Sequence, residues 1–139
     1  MKYFVTGIGT EIGKTVVSAI LTEKLKADYW KPIQAGELDY SDTMKVKKLI
    51  SNNKSHFFEE KYRLLNPMSP HAASKIENIT IKIDDFTLPK KNHDLIIEGA
   101  GGIMVPINHN GDMIIDIIHH LKIPTIKVSV NMTSKLVLQ

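Results

Sequence analysis

A chain of 139 residues with 17 lysines, one arginine, no cysteine and a net charge of +3 has the length of one domain with a single core, and it excludes disulfides and thiolate metal sites. Its pI near 9.0 comes from lysines scattered between Lys2 and Lys135; Arg63 stands alone as the residue type that usually reads bases and phosphates, so no nucleic-acid partner is expected. The apolar run after Met1-Lys2 is too short for a signal peptide and nothing nears transmembrane length, so a cytoplasmic location without membrane contact is expected.

Tyr3-Phe4-Val5 is a short apolar run, the next ten residues hold three glycines, and Val16 to Ala27 carries apolar residues at 16, 17, 20, 21 and 25. The change of period reads as strand, glycine-rich turn and helix. Glycines let backbone N–H groups curl around a phosphate, and the helix N-terminus adds its dipole. Lys14 would reach the terminal phosphates, and the Thr15 hydroxyl would sit on magnesium. The common spacing places four residues between the first glycine and Gly-Lys; here Gly7 is one position further upstream and Ile8 holds the expected glycine position.

Asp28-Tyr29-Trp30-Lys31-Pro32-Ile33-Gln34-Ala35-Gly36 reads as a short strand entering a turn. Pro32 bars a regular central strand, which puts Lys31 at or just past the strand's end, where ligands of open α/β sheets collect. Lys31 is there either a second phosphate-site lysine or a solvated one. Ser41 is a plausible cap for a helix with an apolar stripe of Val46, Leu49 and Ile50. Asp42 then suits the helix dipole, with a magnesium-facing carboxylate as the functional alternative.

A short strand is expected around Tyr62-Arg63-Leu64. Asn66-Pro67-Met68-Ser69-Pro70-His71 reads as a turn, with Ser69 capping a short helix and Pro70 at its first position. His71, and the pair His119-His120, have no second ligand at a metal-binding spacing and read as structural or hydrogen-bonding. Thr80-Ile81-Lys82-Ile83 alternates briefly. Asp94-Leu95-Ile96-Ile97-Glu98 followed by Gly99-Ala100-Gly101-Gly102 looks like a buried parallel strand ending in a carboxylate and a glycine cluster. A phosphate-loop ATPase places there the acid that holds magnesium or its water, the alternative being a solvated strand end. Asp112 to Leu121 reads as a helix, and Pro124 to Val130 as a further strand. The order of elements gives an α/β fold with a mostly parallel sheet.

Gly7-Ile8-Gly9-Thr10-Glu11-Ile12-Gly13-Lys14-Thr15, Lys31-Pro32-Ile33-Gln34-Ala35-Gly36, Ser41-Asp42, Pro67-Met68-Ser69-Pro70-His71 and Glu98-Gly99-Ala100-Gly101-Gly102 resemble the successive motifs of dethiobiotin synthetase. That family also carries the long spacing before Gly-Lys-Thr. The resemblance covers residues 1–126, so the sequence reads as a P-loop NTPase-type three-layer domain over 1–126 and a divergent tail over 127–139.

The resemblance implies an ATP- and magnesium-dependent ring closure of 7,8-diaminononanoate with carbon dioxide (or bicarbonate as its source) to dethiobiotin. One amine becomes a carbamate, ATP phosphorylates it, and the second amine closes the cyclic urea. By resemblance, Glu11, Ile12, Gly13, Lys14, Thr15 and Val16 wrap the phosphates. Asp42 and Glu98 join Thr15 at the metal, and the backbone of Glu98, Gly99, Ala100 and Gly101 closes the ATP site. Lys14 and Lys31 are the implied catalytic cations, and Thr10, Lys31 and Ala35 the substrate contacts. A homodimer is also implied.

Two departures stand out. Family members usually carry Ser or Thr where this chain has Ala35. After Ile126 they continue with an Asn-Tyr-Leu-Gly-Ser-like stretch, an interface helix and an Asn-Asp-like adenine motif, none of which is seen in residues 127–139. Lys127 also puts a charge into an expected buried strand. The expectation is a C-terminally truncated product, such as a frameshift would give. The rival readings are a partitioning ATPase or a cobyrinate synthase of the same broad class, and an inactive nucleotide-binding remnant.

Overall fold

The computed structural model describes residues 1–130. Residues 131–139, on which most of the expected tail falls, lie outside the described residues. Five strands form the main sheet in the order β4-β2-β6-β1-β7: β1 (Lys2–Gly7), β2 (Asp28–Trp30), β4 (Phe57–Phe58), β6 (Leu95–Glu98) and β7 (Thr125–Val128). Every pairing is parallel, with Val5 opposite both Glu98 and Ile126. Parallel strands need long crossovers, and the helices that supply them cover both faces.

Helices α1 (Lys14–Leu25) and α2 (Asp42–Leu49) lie on one face, over a core of Val5, Tyr29, Val46 and Ile96. Helix α4 (Ile114–Leu121) covers the other face, where Ile114, Ile117, Ile118 and Leu121 pack with Phe4, Leu95 and Ile97. This is the expected three-layer α/β arrangement. The alternation of strand side chains explains the split, since Phe4 and Val5 must enter different layers.

A second parallel pair was not foreseen: β3 (Ile33–Ala35) with β5 (Tyr62–Leu64). Pro32 ends the main-sheet strand at Trp30, and the chain leaves to form this small ribbon instead. Helix α3 (Pro70–Ile76) follows it, capped by Ser69, whose hydroxyl accepts from the Ala72 amide at 3.4 Å.

Three expected stripes are corrected. On α1 the buried residues are Lys14, Ser18, Ala19 and Thr22, while Val16 and Ile20 face outward. Val17, Leu21 and Leu25 do pack against the core, and the small residues let the helix lie close to the sheet, so apolar spacing located only part of its inner face. On α2 only Val46 of the expected stripe is buried, and Leu49 is exposed. Residues 80–82 form no strand; Ile81 is buried and a 3-10 turn follows at Ile83–Asp85. Lys127 stays exposed because β7 borders the sheet among the described residues.

Candidate functional site

The carboxyl ends of β1, β2 and β6 converge on a cleft of about 490 Å³. Its floor is the turn between β1 and α1. Gly13 takes φ +95° directly before the helix, a conformation that L side chains rarely adopt. The residue opens the helix N-terminus toward the cleft and gives it the geometry of an anion cradle. Lys14 is buried in the helix's first turn, and its Nζ donates to the Gly9 carbonyl at 2.6 Å. Burial, and then repulsion from Lys31, lower the Lys14 pKa.

Above this turn sits a chain of charges. Lys31 follows β2 directly and is only 3% exposed. Its ammonium lies 2.6 Å from Asp42 Oδ2 and 3.5 Å from Glu98 Oε1. It also donates to the Gly99 carbonyl at 3.4 Å. Burial alone would lower the Lys31 pKa, but Glu98 and Asp42 outweigh it and raise the value. Burial likewise opposes ionisation of Asp42, and Lys31 overcomes it, so the Asp42 pKa is lowered. Lys31 and Asp42 are therefore both charged, and the burial of Lys31 and Glu98 rules out the solvated alternatives for them.

Asp42 takes the helix-opening place expected of it. It opens α2, with Ser41 as the cap whose hydroxyl accepts from the Met44 amide at 3.3 Å. Its carboxylate meanwhile points at Lys31 across the cleft. Glu98 is 1% exposed at the end of β6. Its Oε1 accepts from the Thr15 hydroxyl at 2.8 Å, and its Oε2 from the Tyr29 hydroxyl at 2.8 Å. Burial and the Glu98 charge push the Tyr29 pKa up, which keeps the phenol a donor.

Of the residues named from sequence, Thr10, Glu11, Gly13, Lys14, Thr15, Val16, Lys31, Ala35, Asp42, Glu98, Ala100 and Gly101 all line this cleft. Ile12 does not: its Cδ1 lies against Gly7 and fills the space under the turn. Gly99 is also off the wall, packed against Phe4, and takes part through its carbonyl alone.

Gln34, Tyr29 and the wall of Pro67, Met68, Ser69 and Pro70 were assigned no site role from sequence. Gln34 accepts from the Asp42 amide at 3.1 Å and donates to the Gly36 carbonyl at 2.9 Å, which ties the two loops together. Tyr29 had a usable signal, since it stands two residues before Lys31 in an extended segment and so shares its side of the chain. The histidines lie elsewhere. His71 meets the His109 ring edge-on at 4.8 Å, and His120 Nε2 lies 3.0 Å from the Phe86 carbonyl.

A parallel sheet, a glycine turn entering a helix, a buried lysine in its first turn and two facing carboxylates define a phosphate-loop nucleotide-binding domain. The chain belongs to the AAA domain family, whose model matches residues 1–136. Among curated proteins it is 62% identical over 107 residues to the ATP-dependent dethiobiotin synthetase of Christiangramia forsetii, covering 77% of this chain and 52% of that protein. It is 46% identical to the proteins of the same name from Cytophaga hutchinsonii, over 92% of this chain and 62% of the relative, and from Afipia carboxidovorans, over 90% and 60%. The chain thus spans between about half and three-fifths of the length of these relatives. No helix among the described residues is long and apolar enough to cross a membrane.

Proposed function

We propose that this chain carries the phosphate and carbamate machinery of an ATP- and magnesium-dependent ring closure, converting 7,8-diaminononanoate and carbon dioxide to dethiobiotin. The observation that carries the reading is the linked set of Lys31, Asp42, Glu98 and Thr15, with Lys31 and Glu98 buried, at the mouth of a phosphate turn. The relatives' name, ATP-dependent dethiobiotin synthetase, supports ATP and the dethiobiotin product in this reading.

The donor set fits the proposed metal. Asp42 Oδ2 and Glu98 Oε1 flank the Lys31 ammonium and Thr15 Oγ1 bonds to the same Glu98 oxygen, so three hard oxygens lie together, and hard oxygens are what magnesium takes. When bound, magnesium would neutralise charge on the phosphates. Thr15, Asp42 and Glu98 would hold it, and Gly13 with the amides of the first turn of α1 would cradle the phosphate oxygens.

The remaining work belongs to the two lysines. A carbamate and a triphosphate are both anionic and repel as they approach, so the site must present fixed positive charge where they meet. Lys14 would leave the Gly9 carbonyl for the terminal phosphate. Lys31 would exchange part of its pairing with Asp42 and Glu98 for the carbamate oxygens, and so hold the nucleophile in line. Ala35, Pro67, Met68, Ser69 and Pro70 form the wall on the diamine side. Ala35 offers that substrate no hydroxyl, which leaves Ser69 as the hydroxyl on this wall.

The test is phosphate release by the purified chain with ATP, magnesium and bicarbonate, with and without the diamine. Diamine-dependent release is expected, falling about 10²-fold or more in Lys31→Ala, the usual loss when one fixed charge-stabilising group is removed. ATP hydrolysis that ignores the diamine would overturn the reading.

A further inference from the structure

Tyr29 plays no part in the chemistry outlined above, yet it makes the innermost contact of the site. It is 0% exposed and Glu98 is 1% exposed. In the register of the sheet Tyr29 stands beside Ile96, two residues before Glu98, so both polar tips project into the layer beneath α1. The two oxygens of Glu98 have different surroundings. Oε1 faces the cleft, with the Thr15 hydroxyl at 2.8 Å and the Lys31 ammonium at 3.5 Å. Oε2 accepts from the Tyr29 hydroxyl at 2.8 Å, on the side where Tyr29 packs among Val5, Ala19 and Ile96.

No other group among the described residues donates to Oε2, and the buried Ser18 and Thr22 hydroxyls on the inner face of α1 make no hydrogen bond to it. A carboxylate oxygen left there without a donor is strongly disfavoured, so the group would turn to seek another partner. Turning would carry Oε1 away from Thr15. We propose that Tyr29 is a positioning residue: its hydroxyl anchors Oε2 of Glu98 so that Oε1 stays directed at the cleft, toward the proposed magnesium. The inference rests on the reading of Glu98 as a metal-facing carboxylate. Partners that orient a metal ligand typically carry 10- to 100-fold of metal affinity.

The experiment measures ATP affinity by calorimetry with magnesium and with chelator, for the full chain and for Tyr29→Phe. The ring stays against Phe57, its neighbour at 5.9 Å between centroids, and only the hydroxyl is lost. The magnesium-linked gain in ATP affinity should fall about tenfold while metal-free affinity holds. In a Glu98→Gln background, Tyr29→Phe should cost no further gain. An unchanged gain in Tyr29→Phe overturns the inference. So does an equal loss with and without metal, which would mark Tyr29 as core filling alone. If the unsubstituted chain shows no magnesium-linked gain, the reading of the site itself fails, and this inference with it.

Tyr29→Phe leaves a buried carboxylate one donor short, so a second measurement keeps the side chain intact. With tyrosine labelled by carbon-13 at Cζ, the Tyr29 resonance, assigned by substituting Tyr3, Tyr40 and Tyr62 with Phe, should move when magnesium joins ATP. A resonance that does not move overturns the proposal.

Discussion

Lys31 is the residue on which the site's electrostatics turn. Its ammonium is the only cation within 4 Å of buried Glu98 among the described residues, and it pairs with Asp42 at the same time. Such a cation costs a great deal to desolvate, and the pair repays it only while both carboxylates remain. Lys31→Met should therefore destabilise the chain by about 3 kcal/mol in denaturant unfolding, because it strands the Glu98 charge. Adding Glu98→Gln should recover part of that loss, since the stranded charge is then gone. A double variant with the two losses simply summed would show that the pair is not coupled. Lys14 differs: its ammonium is held by a backbone carbonyl rather than by a carboxylate. Lys14→Met should accordingly cost less stability than Lys31→Met in the same assay, while abolishing detectable ATP binding.

At the scale of elements, the cleft depends on how three loops are held. Gly36 has φ +74°, and a Cβ there would meet Pro67 Cα at 2.6 Å. Gly36→Ala should thus cost about 1–3 kcal/mol, and it should also push the Pro67–Pro70 wall outward and weaken binding of the proposed diamine more than that of ATP. Glu77, just after α3, anchors the same wall. It accepts from the Asn66 side chain at 2.8 Å and from the Leu65 and Asn66 amides at 3.1 Å each. The Asn66 side chain foremost, together with the two amides, lowers the Glu77 pKa against an opposing desolvation effect. A carboxylate with a depressed folded pKa stabilises above its unfolded value, near 4.3, and the contribution vanishes as pH falls through the folded value. Hydrogen exchange at Leu65 and Asn66, corrected for intrinsic rate, should lose protection below about pH 4; protection that survives to pH 2 would refute the anchor. Elements such as these were only partly legible in the sequence. Strand β6 and the glycine turn were readable because an unbroken apolar run and a Gly-Lys-Thr turn each admit few other structures. The β3–β5 ribbon was not, because its strands have three residues each and pair across a crossover that holds α2 and β4. The inner face of α1 was legible only in part: Val17, Leu21 and Leu25 reach the core, but the buried Ser18, Ala19 and Thr22 suit closeness to the sheet, which hydropathy does not register. At the site, the structure gathers the charged residues named from sequence, each at the end of an element; Tyr29 enters only through a partner far along the chain, and Gln34 only through the loop between Gly36 and Asp42.

On the scale of the whole molecule, the sheet carries two unequal faces. The layer under α4 is closed by a continuous row of isoleucines and Leu121. The outer surface of α1 is not closed in this way: Ile20 is 58% exposed and Leu49 of α2 is 59% exposed beside it, around a shallow groove that also includes Ala19. At the border of the sheet β7 leaves one side unpaired among the described residues, where exposed Thr125 and Lys127 lie. A lysine on a border strand resists edge-to-edge pairing, because docking a second strand would bury its charge. The apolar groove has only Glu23 and Lys24 at its rim for the same purpose, and Glu23 is already engaged by Ser51 and Asn52. Self-association should therefore begin at the helices and not at the strand. Ile20→Lys with Leu49→Glu should lower concentration-dependent light scattering several-fold and leave ATP affinity unchanged, since neither side chain lines the cleft. Lys127→Ile should act in the opposite direction by removing the charge from the border. If the helix substitutions leave scattering unaltered while Lys127→Ile alone raises it, the strand border rather than the groove governs association.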